Sequence, residues 1–178
     1  MRGHGLVSRP LSDNERKTIL PGGQPLTDTR HLFSGVRMLP GGHLHVSLDG
    51  PFLGAERAPF VHKAEARIAK LFPHLGRIEW QESWSGWIAV TPDQYPRVHE
   101  LAPGLYAGLG YSGRGIVAAT MIGREIAQRI GGTPDTDLHF PLTPLSPMRG
   151  HGLAGLPLRA LVNGYRVLDA WDEKQGRG

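Results

Sequence analysis

The stretch Leu105–Ile130, LYAGLGYSGRGIVAATMIGREIAQRI, decides how the chain reads. It predicts an apolar strand, a glycine-rich elbow and a long amphipathic helix, in that order. Gly108-Leu109-Gly110-Tyr111-Ser112-Gly113 satisfies G-x-G-x-x-G between strand and helix, the pattern of a dinucleotide-binding turn. A complete unit of that kind needs a second parallel strand after the helix, ending near an acid. Here the helix runs into Gly131-Gly132-Thr133-Pro134 and then Leu138–Pro144, where prolines remove ladder donors. A complete Rossmann unit is therefore not expected, and the elbow needs another reading.

Gly113, Arg114 and Gly115 lie where the helix opens, so several backbone N–H groups point outward without helical partners. With the helix dipole they favour negative charge. Glycine on either side of Arg114 lets a planar ligand approach the backbone. An isoalloxazine ring is one such ligand, because its N1–C2=O edge becomes anionic on reduction. A tight strand-to-helix turn with no ligand accounts for the same residues.

Gly110-Tyr111-Ser112-Gly113-Arg114-Gly115, preceded by His99-Glu100-Leu101-Ala102-Pro103-Gly104-Leu105, resembles the C-terminal half of FAD-dependent oxidoreductases of the D-amino-acid oxidase superfamily. It looks like the branch containing gamma-glutamylputrescine oxidoreductase. The resemblance covers nearly the whole chain. It takes in Pro10-Leu11-Ser12 through Gln24, Thr27–Arg30, Trp84-Ser85-Gly86 with Thr91-Pro92-Asp93, and the C-terminal helix.

The resemblance implies an α+β fold: a mixed or antiparallel sheet of the substrate-domain type with flanking helices, lacking the N-terminal Rossmann unit. Residues 1–140 would form a partial substrate and flavin-capping domain that includes the elbow, and 141–178 a Pro-rich extended segment plus a helix. FAD is implied for the complete enzyme, with weak or no binding by this chain alone. Its contacts would fall on Gly110, Tyr111, Ser112, Gly113, Arg114, Gly115 and Ile116. The implied reaction oxidises a C–N bond of a small amine or amino acid by hydride transfer to flavin. Arg37 and Trp84 are the implied substrate contacts, and no catalytic acid or base is assigned. Full-length relatives open with a nucleotide-binding unit that has no counterpart here. A split gene, a truncation or one subunit of an assembly would account for that. The expected partner is a second copy in a homodimer or a separate FAD-binding N-terminal subunit. Ser47-Leu48-Asp49 departs from the Gly-rich stretch that relatives carry after this strand. The alternative is a non-catalytic binding or interaction domain that keeps the fold without FAD.

Other elements follow from local signals. Ser12-Asp13-Asn14-Glu15 is a capping box, opening a short helix that stops before Pro21-Gly22-Gly23. A hairpin is expected from Arg30–Leu39 through Pro40-Gly41-Gly42 to His43–Asp49. Phe60, Val61, Ala64, Ile68, Leu71 and Phe72 recur at helical spacing behind Pro59. Arg77–Val90 reads as one long strand bent at Gly86. A last helix is expected near Pro157, with Leu158, Leu161, Val162, Tyr165, Leu168 and Trp171 on one stripe. Met1–Leu6, MRGHGL, recurs word for word as Met148–Leu153; nothing else repeats, so no solenoid is implied.

With 178 residues, 25 Gly and 15 Pro, the chain suits one ordered, turn-rich domain. The absence of cysteine excludes disulfides, thiolate metal sites and a cysteine nucleophile. No segment has the length of a signal core or a membrane span, so a cytoplasmic placement is expected. The formal charge of +4 is spread among interleaved acids, and no nucleic-acid signature accompanies it. A guanidinium at Arg37 would pair a substrate carboxylate, or serve a structural salt bridge. Trp84 and Trp87 would wall an amine pocket, or fill core. His43 and His45 share a strand face, but no third ligand stands at useful spacing, so no metal site is expected.

Overall fold

The computed structural model describes residues 2–49, 58–146 and 155–176. The chain is α+β. It contains β1 (Arg2–Pro10), α1 (Asp13–Thr18), β2 (Leu26–Thr27), β3 (Gly35–Met38), β4 (His43–Asp49), α2 (Ala58–Leu71), β5 (Trp80–Trp87), β6 (Arg97–Ala102), β7 (Leu105–Leu109), α3 (Gly115–Ile130) and α4 (Gly155–Lys174). They form two compact units, residues 1–87 with 152–178, and residues 88–151. These boundaries differ from the expected one at residue 140, because α4 ties itself to the first unit.

The first unit is built on a five-stranded antiparallel sheet in the order β2-β3-β4-β1-β5. Side chains alternate across it. Leu6, Val36, Leu44, Val46 and Leu48 share one face, and Ala64, Ile68 and Phe72 from α2 and its end join them in the core. The opposite face carries Gly3, Gly5, Gly35, Arg37, His45, Ser47 and Trp84. β1 is the strand that sequence alone leaves unassigned, and it is an interior one, paired on both sides. The capping box is formed as expected: Ser12 Oγ accepts from Glu15 N at 3.4 Å, and Glu15 Oε2 accepts from Ser12 N at 2.7 Å.

Two expected strands are shorter than their patterns. Arg30–Ser34 leaves the hairpin because the backbone N–H groups of His31 and Leu32 donate to Asp169 on α4 instead. Strand β5 ends at Trp87, and Ile88–Val90 belongs to the other unit. The expected stripe of α4 is also displaced. Its buried residues are Val162 and Asp169, while Leu161, Leu168 and Trp171 are exposed; the side chain of Leu158 lies outside the described residues. The second copy of MRGHGL lies outside them too.

The second unit holds the β6–β7 hairpin, turned at Pro103-Gly104, and α3. Thr143 N donates to Val98 O at 2.8 Å, running Leu142 alongside β6. Strand β7 pairs with β6 alone among the described residues, so it is not the centre of a sheet.

One device serves both units. On α3, Glu125 Oε1 accepts from His139 N at 3.1 Å and meets His139 Nδ1 at 2.8 Å, while Oε2 accepts from Phe140 N at 2.8 Å. On α4, Asp169 Oδ1 accepts from His31 N and meets His31 Nδ1, and Oδ2 accepts from Leu32 N. Each is a buried helix carboxylate clamping two successive backbone N–H groups and the ring of the first residue. Among the described residues, no helix is long and apolar enough to cross a membrane.

Candidate functional site

The elbow is a chain of left-handed residues. Gly110 has φ 80°, Ser112 φ 50° and Gly113 φ 86°, a conformation that glycine accepts freely and serine does not. Strain at Ser112 is held by its surroundings: Ser112 N donates to Ala89 O at 3.0 Å, and Ser112 Oγ accepts from Thr91 N at 3.2 Å. A Cβ on Gly110 would lie 2.6 Å from Thr91 Cγ2, so the elbow also presses directly on the 89–95 loop.

Gly115 is different. Its φ is ordinary, and the nearest atom to an added Cβ is Tyr111 Cβ at 3.9 Å, so neither backbone nor packing demands a glycine there. The backbone N–H groups of Gly115, Ile116 and Val117 meet no acceptor among the described residues, and Arg114 offers no side-chain cap. Ile116 is 89% exposed. A glycine that the fold does not need, beside three open donors at a helix start, suits the flat, anion-forming edge of a flavin. Arg114 is not free: it donates to Gln94 O at 3.3 Å and Gln94 Oε1 at 2.9 Å. The cation is thus pinned beside the elbow.

In the first unit, the face opposite the core carries the other two predicted residues. Arg37 on β3 stands opposite His45 on β4, and its Nε donates to His45 Nδ1 at 3.2 Å. The His45 ring stacks on Trp84 with centroids 5.3 Å apart and planes 9° apart. Burial, and then the Arg37 cation, push the His45 pKa below its ordinary value. Arg37 therefore makes no structural salt bridge among the described residues. Trp84 is 50% exposed and Trp87 67%, so neither is core, whereas Trp80 packs against the core. The expectation that Trp84 and Trp87 wall one pocket is corrected by strand alternation: Trp87 pairs with Arg2 on the other face, under a cation–π contact of 5.3 Å.

The sequence offers His45 only as a metal ligand without a third partner, and it does not point to Gly5. The register of the hairpin around Pro40-Gly41-Gly42 is the signal that sets His45 opposite Arg37. Gly5 has no local signal, because its need arises from a ring on a distant strand. No group of three metal-ligating side chains occurs among the described residues.

The family model described as FAD dependent oxidoreductase (DAO) matches residues 1–129. A probable oxidoreductase OrdL of Rhizobium meliloti is 29% identical over 127 residues, 67% of this chain and 28% of that protein. Gamma-glutamylputrescine oxidoreductase of Escherichia coli is 24% identical over 164 residues, 92% of this chain and 38% of its own. The crystal structure of L-proline dehydrogenase from P. horikoshii has the same fold over 77% of this chain and 37% of that one, with a TM-score of 0.52 at 18% identity. The chain thus spans under two-fifths of the length of these relatives. By its elbow, its sheet and the match over residues 1–129, the chain belongs to the FAD dependent oxidoreductase (DAO) family.

Proposed function

We propose that the chain supplies the flavin-ring and substrate contacts of an oxidoreductase acting on the C–N bond of an amine or amino acid. The observation that carries this reading is Gly115, a glycine that the fold does not itself require, beside the open donors of the helix start. FAD, when bound, supplies the hydride acceptor. The N–H groups of Gly115, Ile116 and Val117 would hold negative charge at the ring edge, preorganised by the helix start. Arg114, fixed by Gln94, adds positive charge near them. Arg37 would orient a substrate carboxylate, and Trp84 would bound the space beside it. No side chain of this chain is assigned the role of acid or base.

The proposal extends to a partner: a second copy, or a separate polypeptide carrying the nucleotide-binding unit. Supporting it, β5 pairs on one side only among the described residues, and Leu105, Leu109, Ile116 and Val117 are exposed apolar side chains. Such surface is an association site or a liability. The test is an FAD titration of the purified chain, followed by desalting and light scattering. We expect shallow binding lost on desalting and abolished by Gly115→Val, with a mass above that of one chain or a tendency to aggregate. Tight FAD binding by a monodisperse monomer would overturn the partner; binding untouched by Gly115→Val would overturn the site. A reconstituted complex that binds FAD yet oxidises no amine would favour a non-catalytic domain.

A further inference from the structure

Four strands each contribute one residue to the same sheet face: Arg37 from β3 opposite His45 from β4 in one cross-strand row, and Gly5 from β1 opposite Trp84 from β5 in the adjacent row. The set is held from both ends. A Cβ at residue 5 would overlap Cε2 and Cζ2 of Trp84, so only glycine lets the indole lie flat across β1. From there the indole stacks on His45, which is 9% exposed. The orientation of that ring aims Nδ1 at Arg37 Nε, 3.2 Å away.

A guanidinium binds a carboxylate through two parallel N–H groups, either Nε with one terminal nitrogen or the two terminal nitrogens together. His45 occupies Nε and closes the first mode. The two terminal nitrogens of Arg37, an exposed residue, have no carboxylate within ion-pair distance among the described residues. The second mode is left open and its direction is fixed.

We infer that His45 is a positioning residue that locks Arg37 as an end-on clamp for the carboxylate of the substrate. This rests on the proposed C–N oxidation and narrows its substrate to an amine that also carries a carboxylate. The role requires neutral His45 with its proton on Nε2, since Nδ1 must accept. The depressed pKa of His45 agrees with that state.

The experiment uses the full chain and two variants chosen to separate stacking from acceptance. His45→Phe keeps a ring against Trp84 and removes the acceptor; His45→Asn restores an acceptor oxygen near the place of Nδ1. Acetate is the probe, with methylammonium as the control, and the Arg37 Nε–H and Trp84 indole N–H resonances are followed. Acetate should bind the native chain with a Kd of about millimolar. His45→Phe should weaken it about tenfold, as expected for losing one charge-assisted positioning bond. His45→Asn should recover most of that, and Arg37→Gln should abolish binding. Equal binding by native and His45→Phe chains overturns the inference, as does His45→Asn matching His45→Phe. A direct check on the native chain needs no variant: a proton found on His45 Nδ1 also overturns it. Acetate held at Arg37 as described, in a chain whose flavin-bearing complex oxidises no amino acid, would remove the oxidation reading and leave the clamp standing. Oxidation that prefers amines without a carboxylate, unaffected by His45→Phe, would remove the clamp and leave the reading.

Discussion

Each unit has its own clamp of the same kind, but the two differ in what stands behind it. The first has a core of a dozen buried residues reaching from Leu6 to Ile78, besides the Asp169 clamp. The second buries only Val98 and Ile122 among its described hydrophobic side chains, besides the Glu125 clamp. Its remaining large apolar side chains, from Val90 to Leu145, are largely exposed. Apolar burial is the main favourable term in folding, so the first unit is stable through its core and the second through backbone turns and one carboxylate. A unit of the second kind is suited to be completed by something it binds, since ligand or partner binding adds to its stability by mass action.

Leu44→Ala is the largest break in that comparison. Leu44 is fully buried, and its truncation should cost the first unit about 3 kcal/mol. Hydrogen exchange should rise across residues 2–87 and 155–174 and stay near native in 97–130. An equal rise in 97–130 would mean that the second unit borrows its stability, against the contrast drawn above.

The clamps give a smaller effect with the opposite regional bias. Burial raises the pKa of Glu125, but the donors Phe140 N and His139 outweigh it and the net direction is down from an ordinary 4.5. Asp169 behaves alike: burial raises it, the donors from His31 and Leu32 lower it, and the net direction is down from 3.8. A carboxyl whose folded pKa is depressed contributes fully above its ordinary value and loses that contribution as pH falls through the folded value. Acid should therefore loosen both clamps below that range, and the second unit should open first because little core stands behind it. Glu125→Gln should cost about 1–3 kcal/mol and remove much of the acid sensitivity of the second unit. Exchange of residues 115–140 measured from neutral pH down to 3 checks both; opening of the first unit ahead of the second would reverse the argument. Ser112→Gly should have the smallest effect, within about 1 kcal/mol, because relief of the left-handed serine is offset by loss of the Thr91 N bond. Calorimetry of the variant would show whether strain or hydrogen bond dominates.

What was legible in the sequence was what neighbours in sequence decide. The box at Ser12–Glu15, the turn at Pro40–Gly42, the period of α2 and the strand-elbow-helix from Leu105 to Ile130 all rest on residues a few positions apart. Distant partners decided the rest. Gly3 and Gly5 weaken the strand signal of β1, yet Gly5 is required by Trp84. Leu161, Leu168 and Trp171 predict a buried stripe on α4, but the helix docks through Asp169, a residue that apolar periodicity cannot see. For the candidate site, the resemblance names Arg37 and the elbow but not the groups that hold them, His45 and Gln94, since each of those is fixed by cross-strand or loop geometry.

The strand order has a consequence for assembly in time. The β3–β4 hairpin closes over a short turn, so its loop-closure entropy is small. Leu6 of β1 must find Val46 on one side and Ser83 on the other, and Ser83 lies farther along the chain. Local pairings precede distant ones, so Arg37 and His45 meet first, in a two-stranded ribbon that lacks any cover. β1 then docks with its glycines bare, and β5 arrives last, carrying Trp84. As the chain emerges during synthesis, the clamp is thus drawn before the ring that fastens it exists.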